Sequence, residues 1–118
     1  MHHVHVLQFL REAYRTLKPG CHIRIIVPDI NVYIKWYLGG EPHPRIAERW
    51  DSGIIGLNTI SHKWLHLSTW DPEFMARFMK SVGFKDIRQC TLGVGRDPKL
   101  LKDNEYNDYE SLYLEATK

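Results

Sequence analysis

At 118 residues the chain has room for one small domain, which can bury roughly two-thirds of its unfolded surface. An apolar fraction of 43% with 25% charged residues fits a soluble globular protein and excludes a low-complexity or disordered chain. A net charge of +2 gives no electrostatic head start toward nucleic acid or an anionic membrane, and no apolar run approaches the ~20 residues a membrane span needs.

Met1 is followed by histidines, not by a basic and then an apolar run, so a secretory leader is not expected. The two cysteines, Cys21 and Cys90, each fall in a strand or at its edge, where a lone thiol is usually a small buried hydrophobe. The expectation is a cytoplasmic protein. The opening MHHVHV is short and histidine-rich and reads as a frayed terminus.

From Phe9 the pattern becomes helical. Phe9, Leu10, Ala13, Tyr14 and Leu17 recur at three- and four-residue spacing, Lys18 suits the negative end of the helix dipole, and Pro19-Gly20 stops the helix. Ile23, Ile25, Ile26 and Val27 then form a β-branched run too apolar for a half-exposed strand. This predicts a strand covered on both faces, as in a parallel α/β sheet, ending at Pro28-Asp29 on the carboxyl edge where ligands usually bind.

Val32, Ile34, Trp36, Tyr37 and Leu38 predict a short helix capped by Asp29 or Asn31 and stopped by Gly39-Gly40. Ile46, Trp50, Ile54, Ile55 and Leu57 give only a modest amphipathic pattern, and Gly53 and Gly56 argue against a long regular helix. Trp70 or Asp71 leads into a second strong helix, with Pro72 in its first turn, Phe74, Met75, Phe78, Met79 and Val82 as its stripe, and Gly83 as its stop. Lys85 to Leu92 reads as a strand and Gly93 to Tyr109 as a long polar loop. In Glu110 to Lys118 the alternation of Leu112, Leu114 and Ala116 with Tyr113, Glu115 and Thr117 predicts a half-exposed strand.

The segment FLREAYRTLKPGCHIRIIVPDI, residues 9–30, resembles the run into and through the fifth strand of class I S-adenosylmethionine-dependent methyltransferases of the type 11 kind. The likeness continues through the YLGG ending of the following helix, LSTWDPEFMARFMKSVGFKDIRQC, and the closing strand, so it spans roughly Val4 to Lys118. It implies an α/β fold: the C-terminal half of a Rossmann-like methyltransferase sheet, with one central parallel strand, a closing antiparallel pair and flanking helices. Residues 1–118 would form one domain, with 41–69 as a substrate-side insertion. The family holds S-adenosylmethionine with a glycine-rich turn after its first strand and an acid ending its second. Neither occurs here, because Gly93-Val94-Gly95 follows a late strand and precedes a loop. The expectation is a methyltransferase half lacking its cofactor-binding part and inactive alone.

The resemblance also nominates residues. His3 stands where the family has a histidine after its fourth strand, on the cofactor side. His62, in His62-Lys63-Trp64, would orient or deprotonate a methyl acceptor, with Trp64 as an apolar wall; alternatively His62 caps local backbone and Trp64 packs. Asp29 and Arg96 would face substrate, although an N-cap and a surface turn explain them equally well.

His62 and His66 lie four apart, but Lys63 and Trp64 stand where a metalloprotease motif needs its glutamate, so no specific metal site is expected. A histidine-rich metal-binding module is the least favoured alternative. The other is a non-enzymatic remnant: the edge of strand 23–27 would lie open, inviting a second copy or a partner chain. Neither nucleic acid nor membrane is expected as a partner.

Overall fold

A computed structural model describes the backbone of residues 3–62 and 69–118, and the side chains of 4–60 and 69–118. In chain order these form α1 (His3–Thr16), β1 (His22–Pro28), α2 (Ile30–Tyr37), α3 (Pro44–Arg49), α4 (Gly53–His62), α5 (Pro72–Val82), β2 (Lys85–Cys90), two single-turn helices (Pro98–Leu100 and Glu105–Glu110) and β3 (Ser111–Thr117). The protein is thus mixed α/β. Among the described residues no helix is long and apolar enough to cross a membrane.

The three strands form one sheet in the order β1-β3-β2, with β3 antiparallel to both neighbours. His22 pairs with Thr117 and Pro28 with Ser111, so the two strands match along their whole length. The described strands do not confirm a central parallel strand. β1 is an edge strand of this sheet, its ladder is antiparallel, and the centre belongs to β3. Just past β1, Asp29 makes an isolated parallel bridge with Trp70.

Packing explains why β3 takes the middle. Leu112, Leu114 and Ala116 point into the main core with Leu10 of α1, Met75 and Met79 of α5, Trp70 and Phe84. Full burial of side chains of this size contributes about 1.5–3 kcal/mol each. Tyr113 and Glu115, on the opposite face, are buried as well. The half-exposed reading of this strand is overturned: the loop after β2 folds back over the face that alternation assigned to water. β1 follows the same division, with Ile23, Ile25 and Val27 packed on the core while Ile26 stays 39% exposed on the other face.

Helix boundaries follow the capping chemistry. Asp29 caps α2 by accepting from the Asn31 N–H (3.0 Å), and Asp71 caps α5 by accepting from the Phe74 N–H (2.7 Å). On α5, Phe74 stacks on Trp70 with ring centroids 4.8 Å apart. α1 begins earlier than the sequence suggests, at His3, so the stretch read as frayed is helical from there. Its last turn is finished from a distance: the Lys118 ammonium donates to the Leu17 carbonyl (2.7 Å) and sits over the Tyr14 ring. Cys21 is exposed, against expectation, because it lies in the turn before β1 and not in the strand.

A second, smaller cluster of Tyr33, Ile46 and Ile60 joins α2, α3 and α4. No long helix runs through 45–60: α3 and α4 are short and separate, and the two glycines are contact points within α4. A Cβ on Gly56 would lie 2.7 Å from the Tyr33 ring, and one on Gly53 2.7 Å from the Tyr37 backbone. α4 forms because its glycines let α2 approach.

Candidate functional site

At the carboxyl end of β1 lies a cleft of about 510 Å³, lined on the strand side by Ile26, Val27 and Pro28. Arg49 of α3 forms one wall, Lys102 and Asn104 of the loop another, and Asn107, Glu110 and Ser111 complete it.

Glu110 is the pivot of this site. Its carboxylate is buried and accepts a short hydrogen bond from the Tyr33 hydroxyl, itself fully buried. Arg49 approaches the same carboxylate at 3.6 Å and donates to the Tyr109 hydroxyl at 3.1 Å. Burial, then the hydrogen bond to Glu110, pushes the Tyr33 phenol well above its ordinary range, so it stays a proton donor. Arg49 also lies over the Trp50 ring, 5.1 Å from its centroid, which fixes the guanidinium direction. The arrangement is a pre-formed polar wall over an apolar floor.

A second constellation lies toward the other end of the sheet. Arg24 of β1 donates to both oxygens of Asp103 (2.9 and 2.6 Å), to Glu115 (2.8 Å) and to the carbonyls of Thr91 and Val94 (3.0 Å each). Arg96 binds Glu115 through its backbone N–H (3.0 Å) and its guanidinium (3.3 Å). The same guanidinium also holds Asp86 at 2.7 Å. Asp86 is turned toward it by a bulge in the β2 ladder, where its φ is 51°. These bonds fasten the loop over β3.

The residues named from the sequence are placed as follows. Asp29 follows the cleft floor directly, but its carboxylate caps α2 and is not among the lining groups. Burial, reinforced by Asp71, raises its carboxyl above the usual range despite the Asn31 N–H. Arg96 reaches Thr117, near the opposite end of β3 from Glu110. Seven residues of strand separate those positions, roughly 24 Å at the usual rise, so the structure does not bring Asp29 and Arg96 together. Trp64 and His66 lie outside the described residues, as do the side chains of His3 and His62. Among the described residues no three histidine, cysteine or acidic side chains are grouped to hold a metal ion.

Sequence reasoning missed Tyr33, Arg49, Lys102 and Glu110, since residues brought together from α2, α3, a loop and the start of β3 carry no local motif. Arg24 did leave a signal: a cation inside the run Ile23–Val27 requires a buried partner.

The Gly93-Val94-Gly95 turn packs closely on the protein's own ion pair. A Cβ on Gly95 would lie 2.2 Å from the Glu115 carboxylate and 2.9 Å from Arg24, so the protein's own ion pair fills that turn. Comparison of the chain with protein-family models, with curated proteins and with solved structures gives no match.

Proposed function

We propose that these residues form the substrate-side, C-terminal half of a class I S-adenosylmethionine-dependent methyltransferase fold, with the methyl donor held by residues other than these. The observation that carries the reading is the sheet. β3 closes it antiparallel, as the resemblance implies, and β1 and β2, each antiparallel to β3, run parallel to one another. The helix, Pro-Gly turn and strand of residues 9–28 add to it, as does a cleft at the carboxyl end of β1.

The isolated chain then gives no heat with S-adenosylmethionine in calorimetry. If a strand, glycine-rich turn and helix are encoded upstream, a chain that includes them should bind the cofactor. Reading that upstream coding sequence is the decisive step, and the absence of a strand, glycine-rich turn and helix there defeats the proposal.

A second reading, a self-associating domain without catalysis, draws on the outer edge of β1. Asp29 donates to the Glu110 carbonyl and Lys118 to that of Cys21, so the odd-numbered residues between face β3. The N–H and C=O groups of His22, Arg24 and Ile26 therefore face outward, until Pro28 ends the series and the Ile30 N–H bonds the Trp70 carbonyl. Among the described residues no strand pairs this edge over 22–26. A second copy aligned antiparallel would extend the sheet across a two-fold axis. Light scattering that finds only monomer at every concentration sinks this reading.

A further inference from the structure

We propose that the cleft at the carboxyl end of β1 binds a small monocarboxylate with an apolar body. Its volume, about 510 Å³, lies in the range of small-molecule sites. Ile26 and Pro28 lie on the face of β1 away from the main core and give the cleft apolar lining, and Ile26 is left 39% exposed there. An apolar group laid on it removes surface that the fold leaves wet.

The walls set the charge of the ligand. Arg49 gives one N–H to Tyr109 and is only 34% exposed, so its remaining N–H groups are held in place beside the cleft. The Lys102 ammonium has no partner among the described residues. Against these two cations stands one carboxylate, Glu110, held by Tyr33. The local balance is close to one positive charge, which matches a monoanion and disfavours a dianionic phosphate brought near Glu110. Asn104 and Ser111 at the rim supply neutral polar groups for a ligand's further hydrogen bonds.

The inference stands on the cleft and needs no methyl donor. Were the methyltransferase reading also right, the carboxylate would be the acceptor or its handle. The two fail separately, because one is read by binding of an acid and the other by binding of S-adenosylmethionine.

The test uses the full chain with sodium benzoate, benzamide and phenyl phosphate, followed by amide NMR. Benzoate should give saturable shifts at Ile26, Lys102 and Ser111 at millimolar concentration, and neutral benzamide should bind several-fold more weakly. Lys102→Met, on an exposed side chain, should weaken benzoate about three- to fivefold, the range of one exposed charge pair, while leaving the thermal midpoint unchanged. Arg49→Met should weaken it more, with Lys102→Met as the variant whose fold is not in question. Shifts that do not saturate, equal binding of benzamide, tighter binding of phenyl phosphate, or benzoate affinity indifferent to Lys102→Met would each overturn the proposal.

Discussion

Replacing Arg24 by methionine tests how the loop is held to the sheet. The Arg24 side chain is 2% exposed, Asp103 4% and Glu115 1%, so all three charges are out of water. Every guanidinium N–H has an acceptor. Methionine keeps much of the volume but removes the charge. Asp103 is left with the Gly93 N–H (2.7 Å), and Glu115 with Arg96. Removing one partner of a buried ion pair costs about 3–5 kcal/mol. A domain of this size has about 5–15 kcal/mol in total, so the variant should stand near the limit of folding. At roughly 4 °C per kcal/mol, the thermal midpoint by circular dichroism should fall by about 12–20 °C.

The pH dependence carries a sign. The Arg24 hydrogen bonds hold the Asp103 carboxyl below its ordinary range. Burial pushes Glu115 up, but the Arg96 N–H and Arg24 outweigh it, and its carboxyl is also lowered. A depressed carboxyl stabilises the fold above its unfolded pKa of about 4 and loses that contribution as pH falls through the folded value. The gap between parent and Arg24→Met should therefore narrow on acidification below about pH 5. Adding Asp103→Leu should restore part of the loss by removing the stranded carboxylate. An Arg24→Met protein within about 1 kcal/mol of the parent, or a gap that widens in acid, refutes the reasoning.

Two further outcomes follow from caps and contacts. At Asp29, asparagine keeps the cap and removes an ion that burial and Asp71 disfavour. Because the folded pKa is raised, the parent loses stability as pH rises from about 4. Urea unfolding should find Asp29→Asn at least as stable as the parent at pH 7 and flatter between pH 4 and 6, with Asp29→Ala about 1 kcal/mol less stable; a costly Asp29→Asn would show that the carboxylate's charge is needed. Gly56→Ala gains about 1 kcal/mol of helix propensity but drives a methyl into the Tyr33 ring, which overpacking places at about 1–3 kcal/mol. Its thermal midpoint should fall, and a rise would mean that the ring moves aside.

Local elements were legible wherever local chemistry decides them. Asp71 and Pro72 announced α5, Pro19-Gly20 the end of α1, and the β-branched run after Cys21 the strand β1. What failed did so because a distant segment changed the meaning of a local pattern. Alternation put Glu115 and Tyr113 in water, but residues 91–103 fold over them and Arg24 supplies the opposing charge. Gly53 and Gly56 spoke rightly against one long helix, but that Gly56 lets the Tyr33 ring approach was not legible locally. The cleft was invisible for the same reason: Arg49 and Glu110 lie sixty-one positions apart in sequence and 3.6 Å apart in space. Asp29 was legible both as a cap and as a neighbour of a site, since the carboxyl end of a strand serves both.

The strand that comes last in the chain is first in importance to the sheet. β1 and β2 touch β3 and not each other, and His22 finds Thr117 across ninety-five positions of sequence. On a ribosome the apolar run of β1 is made about ninety residues before the strand it pairs with in this sheet, residues 111–117. Helices α1 and α5 can form and begin to associate in the interval, but the β1-β3-β2 pairing waits for residues 111–117. That delay leaves the β3-facing edge of Ile23–Val27 unpaired for most of the synthesis of these residues and makes premature strand pairing there a hazard.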